Sequence, residues 1–97
     1  MSDSLEEYIA ESEELLASGV NKNSLWMDAL SCRARDLIFA LLRENSPVDE
    51  QLRVVNILLT MEKMLQDANL PQSEQYLNYL SKRISTLHQR MAIVKSA

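Results

Sequence analysis

Leu77-Asn78-Tyr79-Leu80-Ser81-Lys82-Arg83-Ile84-Ser85-Thr86-Leu87-His88-Gln89-Arg90-Met91-Ala92-Ile93-Val94 is the stretch that decides the fold class. Its apolar positions Leu77, Leu80, Ile84, Leu87, Met91 and Val94 recur at alternating steps of three and four residues. That spacing describes about two and a half heptads of a helix built to lie in a groove between other helices. Around this stripe the charge is one-sided. After Glu74 no acidic residue appears, whereas Lys82, Arg83, Arg90 and Lys95 do. The beginning of the chain is the reverse: Asp3, Glu6, Glu7, Glu11, Glu13 and Glu14, with no Lys or Arg before Lys22. An acidic helix therefore opens the chain and a basic, heptad-patterned helix closes it.

The composition agrees. The 97 residues suffice for one hydrophobic core and not for two. A hydrophobic content of 46% with one Gly and two Pro is a helical composition; strands would need more β-branched residues and more turns. The longest apolar run, Leu37 to Leu42, is far too short to span a membrane. The acidic N-terminus has no apolar signal core, and the single Cys32 fits a reducing compartment, so a cytoplasmic location is expected. A net charge of −4 disfavours nucleic acid as a ligand, since that binding rests on neutralising phosphates.

The punctuation predicts an all-α fold of antiparallel helical hairpins forming a small bundle of four helices, at about residues 4–18, 24–45, 47–68 and 72–95. Ser4 and Glu7 have capping-box spacing. The first helix presents Leu5, Tyr8, Ile9, Leu15 and Leu16, a stripe that Ser12 interrupts, so partial burial is expected there. Gly19 suits a left-handed helix end. The second helix starts near Asn23 or Ser24. It carries Trp26, Leu30, Arg33, Leu37 and Leu41 on one face, widened by Ala34, Ile38 and Leu42. Ser46-Pro47-Val48-Asp49 reads as a cap, a proline at the first helical position and an acid in the first turn. The third helix aligns Leu52, Val55, Leu58 and Leu59, and Val54, Ile57, Met61, Met64 and Leu65 extend that face around the cylinder. Such a helix is either central in a bundle or one wall of a groove. Asn69-Leu70-Pro71 ends it.

Chemistry is sparse. One His and one Cys far apart in sequence give no metal-ligand spacing, and one glycine excludes a phosphate-binding loop, so neither metal nor cofactor is expected. Cys32 reads as a small buried hydrophobe rather than a nucleophile paired with His88. His88, on the rim of the heptad stripe, reads as a solvated or interfacial residue. A small helical mutase of the chorismate mutase type would need inward-facing cations; Arg33 and Arg35 could begin such a site, but no partners recur. Arg33 reads as a snorkelling side chain, with an ion pair to Glu11 or Glu14 as the alternative. Met61 and Met64 read as core filler, or as the adaptable lining of a groove that accepts differing helices. The basic face of the last helix either lies beside the acidic helix or meets an acidic partner.

The stretch Leu25-Trp26-Met27-Asp28-Ala29-Leu30-Ser31-Cys32-Arg33-Ala34-Arg35-Asp36-Leu37-Ile38 resembles the second helix of the FliT family of flagellar type III export chaperones, in which an aromatic precedes an Arg followed by leucines. Leu15-Leu16-Ala17-Ser18-Gly19 and the run from Val55 to Leu65 sit at similar distances. The resemblance implies a non-enzymatic chaperone that holds the filament-cap protein before export and can engage the export ATPase apparatus. It also implies a fourth helix covering a client groove. On this chain the groove would be lined by Leu37, Ile38, Leu41, Leu58, Met61, Met64 and Leu65. The cover would present Leu80, Ile84 and Leu87, with Arg83 and Arg90 on its basic face. Another type III secretion chaperone, or a constitutive helical homodimer or adaptor paired through the heptad stripe, is the alternative.

Overall fold

Local chemistry sets where each helix begins and ends. The computed structural model describes residues 5–19, 21–43 and 46–90. Among these the chain forms α1 (Leu5–Ala17), α2 (Ser24–Arg43), α3 (Val48–Ala68) and α4 (Ser73–Arg90). The Ser18 hydroxyl closes α1 by donating to the Leu15 carbonyl at 2.8 Å. That bond satisfies an orphan carbonyl of the last turn, and Gly19 does not adopt the left-handed conformation its position suggested. At the start of α2, Asn23 Oδ1 accepts the Trp26 amide at 3.1 Å, a side-chain cap at the expected place. The α3 start differs from expectation by one residue. Pro47, with φ −64° and ψ 158°, is the flanking residue and Val48 is the first helical one. Ser46 is thereby one position too far out to cap. Its hydroxyl has no partner, and its carbonyl instead accepts Gln51 Nε2 at 3.0 Å. Asn69, left-handed at φ 50° and ψ 47°, terminates α3, and the Ser73 hydroxyl bonds the Leu70 carbonyl at 2.8 Å to start α4. Ser4, the other half of the capping box, lies outside the described residues.

Short connections make consecutive helices antiparallel neighbours, and the result is an all-α fold of four helices. α2 and α3 form the middle of the molecule. α1 lies on one side and α4 on the other; each touches both central helices, and the two do not touch each other. The Cα extents of 36 × 31 × 17 Å describe a flat body, consistent with two layers of helices at the usual interaxial spacing of roughly 8–10 Å. Leu30, Ala34, Leu37 and Leu41 of α2 and Val54, Leu58, Met61 and Leu65 of α3 are fully buried at its centre. Leu5 and Ile9 close the core from one side, and Leu80, Ile84 and Leu87 close it from the other.

Four readings of the sequence are corrected here. Ser12 is 0% exposed rather than half-buried, because its small side chain lets α1 approach the central helices closely. Leu42, Leu52 and Leu59, expected on inward faces, are exposed. In α3 the apolar residues occupy two stripes rather than one broad face. Val54, Ile57, Leu58, Met61 and Leu65 are buried, whereas Val48, Leu52 and Leu59, on another side of the cylinder, are not. Cys32 is exposed rather than buried, because α2 turns it away from the Leu30–Ala34–Leu37 stripe. No described helix is long and apolar enough to cross a membrane.

Candidate functional site

α4 is polar on average yet the most one-sided of the four helices, and its apolar stripe is what docks it. Leu80 and Leu87 are 1% exposed and Ile84 is 8% exposed, while Leu77 is partly buried against the same core. Burying each of these side chains stabilises the docked helix by roughly 1.5–3 kcal/mol. Met91 and Val94, the continuation of the heptad pattern, lie outside the described residues, as do the side chains of His88 and Arg90.

The residues expected to line a groove are all part of one core. Leu37, Ile38, Leu41, Leu58, Met61 and Leu65 are buried, and Met64 is partly buried against them. Their positions along the helices divide them. Ile38 follows Ser31 by seven residues on α2, and Ser31 lines a cleft shared with α4. Leu58 and Leu65 are likewise seven apart on α3, on the flank of the buried stripe opposite the Ile57 side that borders α1. Met64 instead falls seven residues after Ile57 and eleven after Arg53, on the side of α3 that meets α1. Leu37, Leu41 and Met61 lie between these flanks.

Ion pairs join α1 to both central helices. Arg33 Nη1 lies 2.9 Å from Glu11 Oε1, and Arg53 donates to Glu13 Oε1 at 2.8 Å. Arg33 combines the two readings its position allowed: its side chain is 38% exposed, and its guanidinium reaches from the edge of the core to the acidic helix. The acidic and basic helices are not adjacent, and Glu11 and Glu13 of α1 pair with arginines of α2 and α3.

The basic face of α4 borders an open cleft of about 550 Å³ between the outer surfaces of α2 and α4. Cys32, Arg35 and Phe39 form the α2 wall, and Tyr76, Tyr79 and Arg83 form the α4 wall. The Arg83 guanidinium stacks 5.1 Å from the centre of the Tyr79 ring. The Tyr76 hydroxyl donates a hydrogen bond to Asp28 Oδ1, tying the first turns of α4 to α2. That hydrogen bond, with lesser contributions from desolvation and from the Asp28 and Cys32 charges, raises the Tyr76 pKa above the ordinary tyrosine value. This cleft was not legible as a site in the sequence. Its residues come from two helices far apart in the chain, and none of them carries a recognisable spacing. Among the described residues no group of three His, Cys, Asp or Glu side chains comes together to hold a metal.

No protein family matches this chain, and neither a curated protein nor a solved structure does.

Proposed function

We propose that this chain is a cytoplasmic export chaperone of the flagellar type, which holds the filament-cap protein as client and engages the export ATPase apparatus. The observation that carries this reading is the docking of α4. The last helix lies across α2 and α3 through Leu80, Ile84 and Leu87, touches nothing of α1, and has no ion pair to the rest of the fold among the described residues. An amphipathic client helix of the same pattern could occupy the same place. The uncovered face would then be Ile38, Leu58 and Leu65, with Leu37, Leu41 and Met61 at its floor. The resemblance of residues 25–38 to the FliT family supplies the class of client. Catalysis has no part in this function.

The test is calorimetric titration of the chain with the C-terminal segment of the filament-cap protein from the same organism. A chain ending before Ser73, verified as folded by circular dichroism, should bind more tightly than the full chain, because the cover no longer competes. Ile84→Asp in the full chain should act in the same direction. No binding by folded protein in any of these forms removes the assignment. A constitutive dimer paired through the heptad stripe would require α4 to leave its own chain, since its apolar face is already buried there. Light scattering on dilution separates the two, with a dimer that persists favouring the alternative.

A further inference from the structure

The cleft between α2 and α4 lies outside the covered groove and has a different chemistry. No acidic residue lines it. Arg83 is exposed, and its guanidinium lies against an aromatic ring rather than a carboxylate. Arg35, with a 52% exposed side chain, is near only its sequence neighbour Asp36, at 3.9 Å, a separation too long for a good hydrogen bond. Lys82 stands exposed beside Arg83. Phe39, 54% exposed and the only phenylalanine in the chain, lines the same cleft one helical turn beyond Arg35. The cleft runs along two turns of each helix, from Gln75 to Arg83 and from Ser31 to Phe39, or about 12 Å at the helical rise.

We infer that this cleft binds an acidic peptide segment of a protein partner, whose carboxylates pair with Arg35 and Arg83 and whose apolar side chain packs on Phe39. Three features select this occupant. Exposed guanidiniums without a close carboxylate favour an anion, because arginine forms bidentate, charge-assisted pairs with carboxylates. An exposed phenylalanine in the same cleft favours an anion that carries an apolar group, as a peptide does. The open, elongated shape suits an extended or helical segment, whereas a small molecule would leave most of its surface in water. A second copy of the chain is a poorer fit. Its acidic α1 already commits Glu11 and Glu13 to Arg33 and Arg53, and its apolar residues Leu5 and Ile9 are buried.

This site depends on α4 being docked, since both helices supply its walls. It therefore opposes the groove: a partner in the cleft holds α4 down, and a client in the groove removes the cleft. This opposition rests on the proposed function, whereas the cleft itself does not.

The test uses the full chain and a fluorescent synthetic peptide of glutamate and leucine in alternating pairs, with a glutamine-for-glutamate peptide as its control. Fluorescence anisotropy should show saturable binding that weakens about tenfold or more in Arg35→Glu/Arg83→Glu and with the control peptide. Both arginines are exposed, so thermal melting should find this variant folded. Peptide occupancy should also slow the reaction of Cys32, the only thiol, with a disulfide reagent. Ile84→Asp, which loosens α4, should weaken peptide binding while strengthening client binding. Absent binding, or equal binding by the charge-reversed variant or the control peptide, overturns the cleft site. Peptide binding that strengthens in Ile84→Asp places the peptide in the groove and also overturns it. Self-association abolished by the double reversal would make another copy the occupant and overturn the peptide assignment. Loss of client binding with peptide binding intact would instead fail the chaperone reading alone.

Discussion

α1 and α4 flank the same pair of central helices and are held there by different forces. α1 is shorter, buries Leu5, Ile9 and the polar Ser12, and is fixed by two ion pairs to neighbouring helices. α4 is longer, buries Leu80, Ile84 and Leu87 along its middle turns and Ser73 at its start, and leaves Lys82 and Arg83 exposed. Besides the Ser73 bonds to the preceding connection, Tyr76 to Asp28 links α4 to a neighbouring helix, at the end nearest that connection. The difference is one of specificity. Ion pairs and a small side chain at the contact define where α1 sits, whereas the surface beneath α4 is met by an aliphatic stripe. A helix held chiefly by apolar burial is the one a partner helix can replace.

Breaking the apolar contact should produce the largest effect. Ile84→Asp places a carboxylate against the core and should cost several kcal/mol, on the order of 3–5, in chemical denaturation. If α4 is a separable cover, the loss should appear as an early transition of α4 alone, with α2 and α3 unfolding later. An Ile84→Asp protein of unchanged stability would mean that α4 does not rest on the groove.

Next in size is Ser12. Its hydroxyl is buried without a partner, a condition that costs about 1–3 kcal/mol. Ser12→Ala removes that cost and adds helix propensity, so it should raise stability by about 1 kcal/mol in a urea titration. A destabilised Ser12→Ala would show that the hydroxyl is satisfied in solution.

The ion pairs rank lower. Both are roughly half exposed, so a double-mutant cycle on Glu11 and Arg33 should give a coupling of about 0.2–1 kcal/mol that fades as salt is raised. α4 docking should hardly respond to salt. Equal salt sensitivity of the two helices would erase the contrast between them.

The smallest effect belongs to Tyr76. Its folded pKa is raised, so the stability it contributes is fully present below the unfolded value of about 10 and is lost as pH rises through the higher folded value. Tyr76→Phe should be less stable than the natural chain at neutral pH, and the gap should close in alkaline solution. A constant gap across that range would show that the hydroxyl does not bond Asp28.

Helix number, order and approximate limits were legible because each helix carries a strong three-four pattern and polar punctuation. What was not legible depended on how many neighbours each helix has. α3 offers more apolar positions than its neighbours cover, and nothing in its sequence says that Leu58 is inside and Leu59 outside. Cys32 and Phe39 lie off the buried stripe of α2, on the side that faces the cleft beside α4. The acidic and basic ends looked like partners in sequence, yet the central pair separates them. The basic face of α4 was legible, but its pairing with Arg35 and Phe39 across the α2–α4 cleft was not, because the walls come from two helices distant in the chain.

Native-state hydrogen exchange on the full chain is the measurement that bears most directly on α4 as a separable cover. The account predicts that the amides around Leu80, Ile84 and Leu87 exchange through a local opening of clearly lower free energy than those of the α2–α3 core, with α1 remaining protected. Exchange of α4, α2 and α3 at one common free energy would mean that the last helix leaves only when the whole fold is lost, and would contradict the account.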